Sequence, residues 1–161
     1  MKASIHTTDV HELSKQLHKQ QKRIVLVGGC FDILHIGHIA LLENAKKQGD
    51  ILIVFLESDE SIAEKKGEGR PLHTQLQRSE VLLALKSVDY VILLQSHMTN
   101  DDYDNLVKAL QPDIIATTNN DQGWEHKKRT ANLIGAQLIE VTQPIKNVST
   151  SRIITQLQKE L

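Results

Sequence analysis

Two imidazoles stand three residues apart, just after a glycine pair, in Gly28-Gly29-Cys30-Phe31-Asp32-Ile33-Leu34-His35-Ile36-Gly37-His38. At that spacing His35 and His38 point the same way at a helix start. Gly28 and Gly29 permit a tight turn and let backbone N–H groups approach an anion. A helix beginning near Gly37 aims its free N–H groups and positive dipole end at the same place. Such a constellation holds phosphate oxygens and stabilises charge building on a phosphorus under attack. Gly37 leaves room for phosphates or nucleotide against the backbone. The plainer alternative is that both histidines merely cap the helix, but the glycine pair before them and the amphipathic stretch after them favour phosphate binding. No third histidine stands nearby to complete a zinc site, so no metal ligand is assigned.

Three other stretches carry candidate chemistry. Lys65-Lys66-Gly67-Glu68-Gly69-Arg70-Pro71 reads as a mobile loop with Arg70 as an anion clamp, or as a solvated basic patch. Ser149-Thr150-Ser151 opens a last amphipathic segment, where hydroxyls and N–H groups form a second phosphate cradle or a simple N-cap. Asn119 and Asn120 could read a base edge or a sugar hydroxyl, or could serve as turn formers. Lys127-Lys128-Arg129 reads as an exposed helical face. The other six histidines receive no role, and Cys30 is read as a backbone contact, not a nucleophile.

The elements that must position these residues are legible as alternation. Short apolar runs recur at Ile24–Val27, Ile51–Phe55, Val91–Leu94, Ile114–Ile115 and Leu138–Val141, as in parallel strands buried on both faces. Helical spacing lies between them, with stripes Ile39/Leu41/Leu42/Ala45, Val81/Leu82/Leu85/Val88 and Leu106/Val107/Leu110. The expected fold is a doubly wound α/β protein with a five-stranded parallel sheet of Rossmann type. A capping box at Asp9-Val10-His11-Glu12 predicts a helix over Val10–Gln20 inside a helical lead-in of residues 1–21. A final helix over Ser149–Leu161 would bury Ile153, Ile154 and Leu157. The loops at 65–71 and 117–128 would emerge at carboxyl ends of strands, where open α/β sheets bind ligands.

Bulk properties narrow the class. The 161 residues, 40% of them apolar and 24% charged, suit one soluble globular domain. A net charge of −1 provides no global basic field for nucleic acid. The one cysteine forms no intrachain disulfide and suits a reducing compartment, and no apolar run is long enough for a membrane span. A cytoplasmic location is expected, with neither nucleic acid nor membrane as partner.

The segment Cys30 to His38 resembles the signature of the cytidylyltransferase-like nucleotidyltransferases. Its His-x-Gly-His is shared with class I aminoacyl-tRNA synthetases, but the chain is too short for a tRNA-recognition domain and lacks Lys-Met-Ser-Lys-Ser. Gly49–Val54, Ser58-Asp59, Lys65–Pro71, Arg78–Leu85 and Val88–Val91 resemble one subgroup. That subgroup comprises the adenylyltransferases that make ADP-heptose from D-glycero-β-D-manno-heptose 1-phosphate. The likeness is good over about residues 10–116.

The resemblance implies that a phosphate oxygen of an acceptor attacks the nucleotide's α-phosphate, with Mg²⁺ neutralising the triphosphate. His35 and His38 would be catalytic. Gly29, Cys30, Phe31, His35, Gly37, His38, Asn120, Ser149, Thr150 and Ser151 would hold the nucleotide. Lys65 lies where glycerol-phosphate relatives place a lysine on the acceptor phosphate, a role that either Lys65 or Lys66 could fill; Lys65 would then be both catalytic and acceptor-binding, beside Asp32 and Arg70. Partners are thus a nucleoside triphosphate, a phosphorylated small molecule and, from resemblance, a second copy of the chain.

The pattern departs at Ala116-Thr117-Thr118-Asn119-Asn120-Asp121, where the heptose enzymes carry Val-Lys-Gly-Gly-Asp-Tyr. Thr117 replaces the Lys, Thr118 and Asn119 the glycines, and Asn120 the Asp unless the register slips to Asp121. Lys146 stands in for an arginine before the last helix without its bidentate geometry. In the relatives this region reads the acceptor and part of the nucleotide. The alternatives are therefore a CTP-dependent enzyme acting on glycerol 3-phosphate or a similar alditol phosphate, a coenzyme adenylyltransferase, or a nucleotide-binding regulatory module without turnover.

Overall fold

The β-branched runs become strands because they fill both faces of a sheet whose neighbours are all parallel. In the computed structural model, which describes residues 2–145 and 148–159, these are β1 (Ala3–His6), β2 (Ile24–Gly29), β3 (Ile51–Leu56), β4 (Tyr90–Leu93), β5 (Ile114–Thr118) and β6 (Gln137–Thr142). They form one sheet in the order β1-β4-β3-β2-β5-β6. The helices are α1 (Val10–Lys19), α2 (Ile36–Lys46), α3 (Asp59–Lys66), α4 (Gln75–Ala84), α5 (Asn100–Leu110), α6 (Trp124–Ile134) and α7 (Thr150–Lys159). None of the described helices is long and apolar enough to cross a membrane.

Alternate strand residues divide the core. Val25, Val27, Leu52, Val54 and Val91 pack under Leu41, Leu42 and Ala45 of α2 and Leu82 of α4. Leu26, Ile24, Ile53, Phe55 and Ile92 pack under α1, α5 and Ala131 of α6 on the other face. Each fully buried Val, Leu or Ile contributes about 1.5–3 kcal/mol. From β2 the chain winds outward through β3 and β4, then returns to place β5 on β2's other side. The direction reverses at β2, so the crevice beyond its carboxyl end is where such a sheet receives a ligand. The motif begins at that end.

Four expectations need correction. The sheet has six strands, not five, because Ala3–His6 pairs along β4, with Ser4 against Val91 and Ile5 against Ile92. Asp9 makes no side-chain cap, since a 3-10 turn over Thr7–Asp9 already runs into α1 in helical conformation. Lys65 and Lys66 belong to the last turn of α3, and Trp124–Lys128 belong to α6, so neither loop is as long as expected. Val81 is 49% exposed, and α4 ends before Leu85 and Val88. Leu82 and Val88 are nevertheless buried. Ile153 and Ile154 are half-buried on α7; Lys146 and the side chain of Leu157 lie outside what is described.

Candidate active site

β2 delivers Gly29 to the sheet edge, and the chain then folds sharply. A Cβ on Gly29 would stand 2.8 Å from the Phe31 ring, so only glycine allows that ring to fold back. Phe31 is buried in a left-handed conformation at φ 46, a costly state for an aromatic residue that its surroundings must enforce. His35 follows in extended conformation as the N-cap of α2, yet its side chain makes no capping hydrogen bond. The simple capping alternative is therefore not realised.

The two imidazoles lie stacked, with centroids 3.8 Å apart and planes 19° from parallel, and the His38 ring also meets Phe31 at 5.0 Å. Gly37 makes this possible, because a Cβ there would press on the His35 ring at 3.1 Å. The space expected for a ligand beside Gly37 is taken by that ring. Nδ1 of His35 and Nδ1 of His38 are both buried without a hydrogen-bond partner. Burial lowers the His38 pKa to about 4, with the His35 charge adding to the effect and the Ile33 backbone opposing it. Burial lowers that of His35 too. Both rings are thus neutral near pH 7, and two unsatisfied polar atoms sit beside a helix N-terminus.

This shift has a consequence for stability. An unfolded His38 near its ordinary 6.5 takes a proton more readily than the folded one near 4. The stabilising effect of the neutral ring is full above about pH 6.5 and lost as pH falls towards 4. Denaturant midpoints measured from pH 7 to 4 are expected to fall more steeply for wild type than for His38→Gln. Parallel profiles would contradict this.

The start of α7 meets the same segment. The Thr150 hydroxyl donates to the Ile33 carbonyl at 3.2 Å, and Ser149 Oγ accepts from Arg152 N–H at 3.2 Å as an N-cap. Ser151 is exposed on the first turn. Two helix N-termini, those of α2 and α7, therefore meet at Ile33–His38.

Asp32 and Arg70, both candidates for the acceptor, bind each other. The Arg70 Nε donates to Asp32 Oδ2, and Leu72 N–H donates to Oδ1 at 2.8 Å. With its carboxylate 2% exposed and so engaged, Asp32 fastens the loop after α3 to the motif. Arg78, to which sequence reasoning gave no role, is 2% exposed and ties four segments together. It donates to the carbonyls of Cys30 (2.5 Å), Glu57 (2.8 Å) and His73 (3.1 Å) and to the Asp59 carboxylate (2.8 Å). Its place in a polar helical stretch gave no sign of this, because its acceptors lie far apart in the chain. The Cys30 thiol, half-buried, has its pKa raised chiefly by burial, which suits a non-nucleophile.

On the α5/α6 side of Gly28-Gly29-Cys30 lies a cavity of about 470 Å³. Leu26, Phe55 and Ile115 supply an apolar floor, and Glu57, Lys65, Asp121 and Lys127 supply charges. Lys65 Nζ reaches Glu57 at 3.3 Å, and the Tyr103 hydroxyl donates to the same carboxylate at 2.6 Å. Asn120 is exposed at φ 59, a turn position, while the neighbouring Asp121 forms part of the cavity wall. Lys127 is half-buried and bonded to Asp121, whereas Lys128 lies over the Trp124 ring at 4.6 Å. Among the described residues, no group of three His, Cys, Asp or Glu could hold a metal ion. Both oxygens of Asp32, the carboxylate within the motif, are engaged by Arg70 and Leu72 N–H, so it offers no free oxygen to a Mg²⁺.

The chain is similar to several known proteins. A family model described as cytidylyltransferase-like matches residues 26–156. "Bifunctional protein HldE" of a Nitratiruptor species is 35% identical over 153 residues, covering 93% of this chain and 31% of that protein. The HldE of Campylobacter jejuni (strain RM1221) is 38% identical over 150 residues, 91% of this chain and 30% of its own. The chain thus spans about a third of the length of these curated relatives. Among solved structures, a lipopolysaccharide core biosynthesis protein from Thermoplasma volcanium superposes with a TM-score of 0.61 at 31% identity, covering 78% of this chain and 98% of that one. A pantoate-beta-alanine ligase from Francisella tularensis, at 19% identity and a TM-score of 0.67, covers all of this chain and 78% of its own, and shares the fold.

Proposed function

The chain belongs to the cytidylyltransferase-like family of nucleotidyltransferases, and from that premise we propose that it is a single nucleotidyltransferase domain transferring the adenylyl group of ATP to a sugar phosphate resembling heptose 1-phosphate. The observation that carries the reading is the stacked His35–His38 pair, its two buried Nδ1 atoms unpartnered at the N-terminal turn of α2, with the start of α7 bonded to the same segment at Ile33. The HldE likeness and the stretches shared with the heptose adenylyltransferases favour ATP over CTP.

In the proposed reaction an ionised oxygen of the acceptor phosphate attacks the α-phosphorus of ATP. The new P–O bond forms as the bond to the bridging oxygen of the β-phosphate breaks, and pyrophosphate leaves with the electron pair. The acceptor oxygen is already deprotonated near neutral pH, so no general base is needed, and rate comes from alignment and charge stabilisation. His35 and His38 donate hydrogen bonds to the phosphates where charge accumulates. The backbone of Gly29–Phe31, the free N–H groups at the start of α2, and Ser149-Thr150-Ser151 at that of α7 hold the nucleotide, together with Asn120. Mg²⁺ enters as the counter-ion of ATP, held mainly by phosphate and water. Arg70 and Asp32 set the loop beside the acceptor. The reaction is placed in the cytoplasm, where ATP is supplied, and dimerisation, expected from relatives, is checked by light scattering.

Lys65, 56% exposed and loosely held by Glu57, turns to the acceptor phosphate. Lys65→Ala is expected to raise the acceptor's KM at least roughly tenfold more than that for ATP. The reverse pattern in steady-state kinetics would assign Lys65 to the triphosphate. Pyrophosphate release with ATP or CTP against heptose 1-phosphate and glycerol 3-phosphate tests the reaction itself. Nucleotide binding without release from any pair would favour the regulatory alternative.

A further inference from the structure

We propose that the 470 Å³ cavity beside Gly28–Cys30 holds the sugar of the acceptor, and that Asp121 and Lys127 at its wall select it by binding a sugar hydroxyl. The inference deepens the transfer reading and rests on it for the presence of a phosphorylated acceptor.

Among the described residues, the cavity lining includes neither imidazole of the stacked pair nor any side chain of α7, so the space is distinct from the phosphate-binding side of the motif. The two compartments meet at Gly29 and Cys30, where a nucleotide and an acceptor must touch. Lys65 lies on the cavity wall and suits the acceptor's phosphate; Asp121 and Lys127 come from the turn after β5 and from α6. An apolar floor of Leu26, Phe55 and Ile115 suits the C–H face of a sugar ring.

The hydrogen-bond inventory at the α6 wall is specific. Lys127 Nζ donates to Asp121 Oδ2 at 2.7 Å and to Thr117 Oγ1 at 3.2 Å, which leaves one of its three N–H groups. Asp121 Oδ2 also accepts from Thr117 Oγ1 at 2.8 Å, and Oδ1 accepts from Gly123 N–H at 2.7 Å. A carboxylate has about four acceptor sites, so one remains. A donor and an acceptor side by side match a hydroxyl, which accepts from Lys127 while donating to Asp121. Burial opposes ionisation of Asp121, but Lys127, Thr117 and the Gly123 N–H outweigh it and hold its pKa below the ordinary value. The acceptor role is therefore available at neutral pH. Thr117–Asp121 is also where this chain departs from the heptose enzymes, so hydroxyl reading is built here from other residues.

The test is calorimetric titration of heptose 1-phosphate, and separately of β,γ-imido-ATP, into wild type, Lys127→Met and Asp121→Asn. Both variants are expected to lose about tenfold or more in affinity for the sugar phosphate, the worth of one hydrogen bond to a charged group. Both should bind the ATP analogue nearly as wild type does, which also reports that they fold. Unchanged sugar-phosphate affinity, no binding by wild type, or an equal loss for the ATP analogue would overturn the assignment. Pyrophosphate release is scored separately. Variant-sensitive sugar-phosphate binding without release would sink adenylyl transfer and leave the cavity assignment standing.

Discussion

His38→Ala is expected to lower turnover at saturating ATP and acceptor by about 10²–10³-fold, the range for losing one preorganised donor to a charge that develops in the transition state. The KM for ATP is expected to rise far less, since bonds to the ground-state triphosphate are shared with two helix N-termini. His38 is the more buried of the stacked pair, and the ring it presents is neutral at pH 7. On the proposed reading it acts as a neutral hydrogen-bond donor rather than as a cation. His35→Ala is expected to give a similar loss. In the double variant the losses should fall short of additive, because each ring holds the other in place. Single-turnover measurement of pyrophosphate formation checks all three variants. Turnover within a few-fold of wild type in both single variants would remove the histidines from the mechanism.

Arg78→Met is expected to destabilise the fold by about 3–5 kcal/mol, the cost of removing one partner from a buried charge-assisted network. The variant leaves the part-buried carbonyls of Cys30, Glu57 and His73 without their donor, and a buried acceptor left unpaired costs about 1–3 kcal/mol. Asp59 is partly exposed and suffers less, as water replaces its partner. Lysine should not rescue the variant, because a single ammonium cannot reach acceptors that the planar guanidinium spans. Because Cys30 is among those acceptors, ATP affinity should weaken together with stability. Urea unfolding gives the answer; a loss below about 1 kcal/mol would mean that the carbonyls find other donors.

The sequence displays the alternation of β-branched runs and amphipathic stretches because parallel strands buried on both faces leave almost no polar positions. The sixth strand escapes notice for the opposite reason. Ala3-Ser4-Ile5-His6 lies at the sheet edge, half its side chains face solvent, and its pairing with β4 joins opposite halves of the chain. Helix ends were missed where local and tertiary signals compete. Lys65 and Lys66 precede a glycine and look like loop, yet a Ser58 cap on Ser61 N–H starts α3 early enough to include them.

At the site, the two histidines were legible from spacing alone, but not their stacking, which depends on the missing Cβ of Gly37. The pairing of Asp32 with Arg70 could not be read, because the two lie 38 residues apart and each alone looks like a ligand contact. The Asp121–Lys127 pair was hidden by a turn that exposes Asn120 and brings its neighbour to the cavity wall. Specificity residues on a wall built from a turn and a helix carry no local signature.

Adenylyl transfer is tested by phosphorus NMR of the products formed from ATP, Mg²⁺ and D-glycero-β-D-manno-heptose 1-phosphate by the wild-type protein. Equal amounts of pyrophosphate and a sugar nucleotide with a P–O–P bridge are expected, lost together in His38→Ala. Absence of both products while ATP binds, or their appearance with CTP and glycerol 3-phosphate instead, would contradict adenylyl transfer.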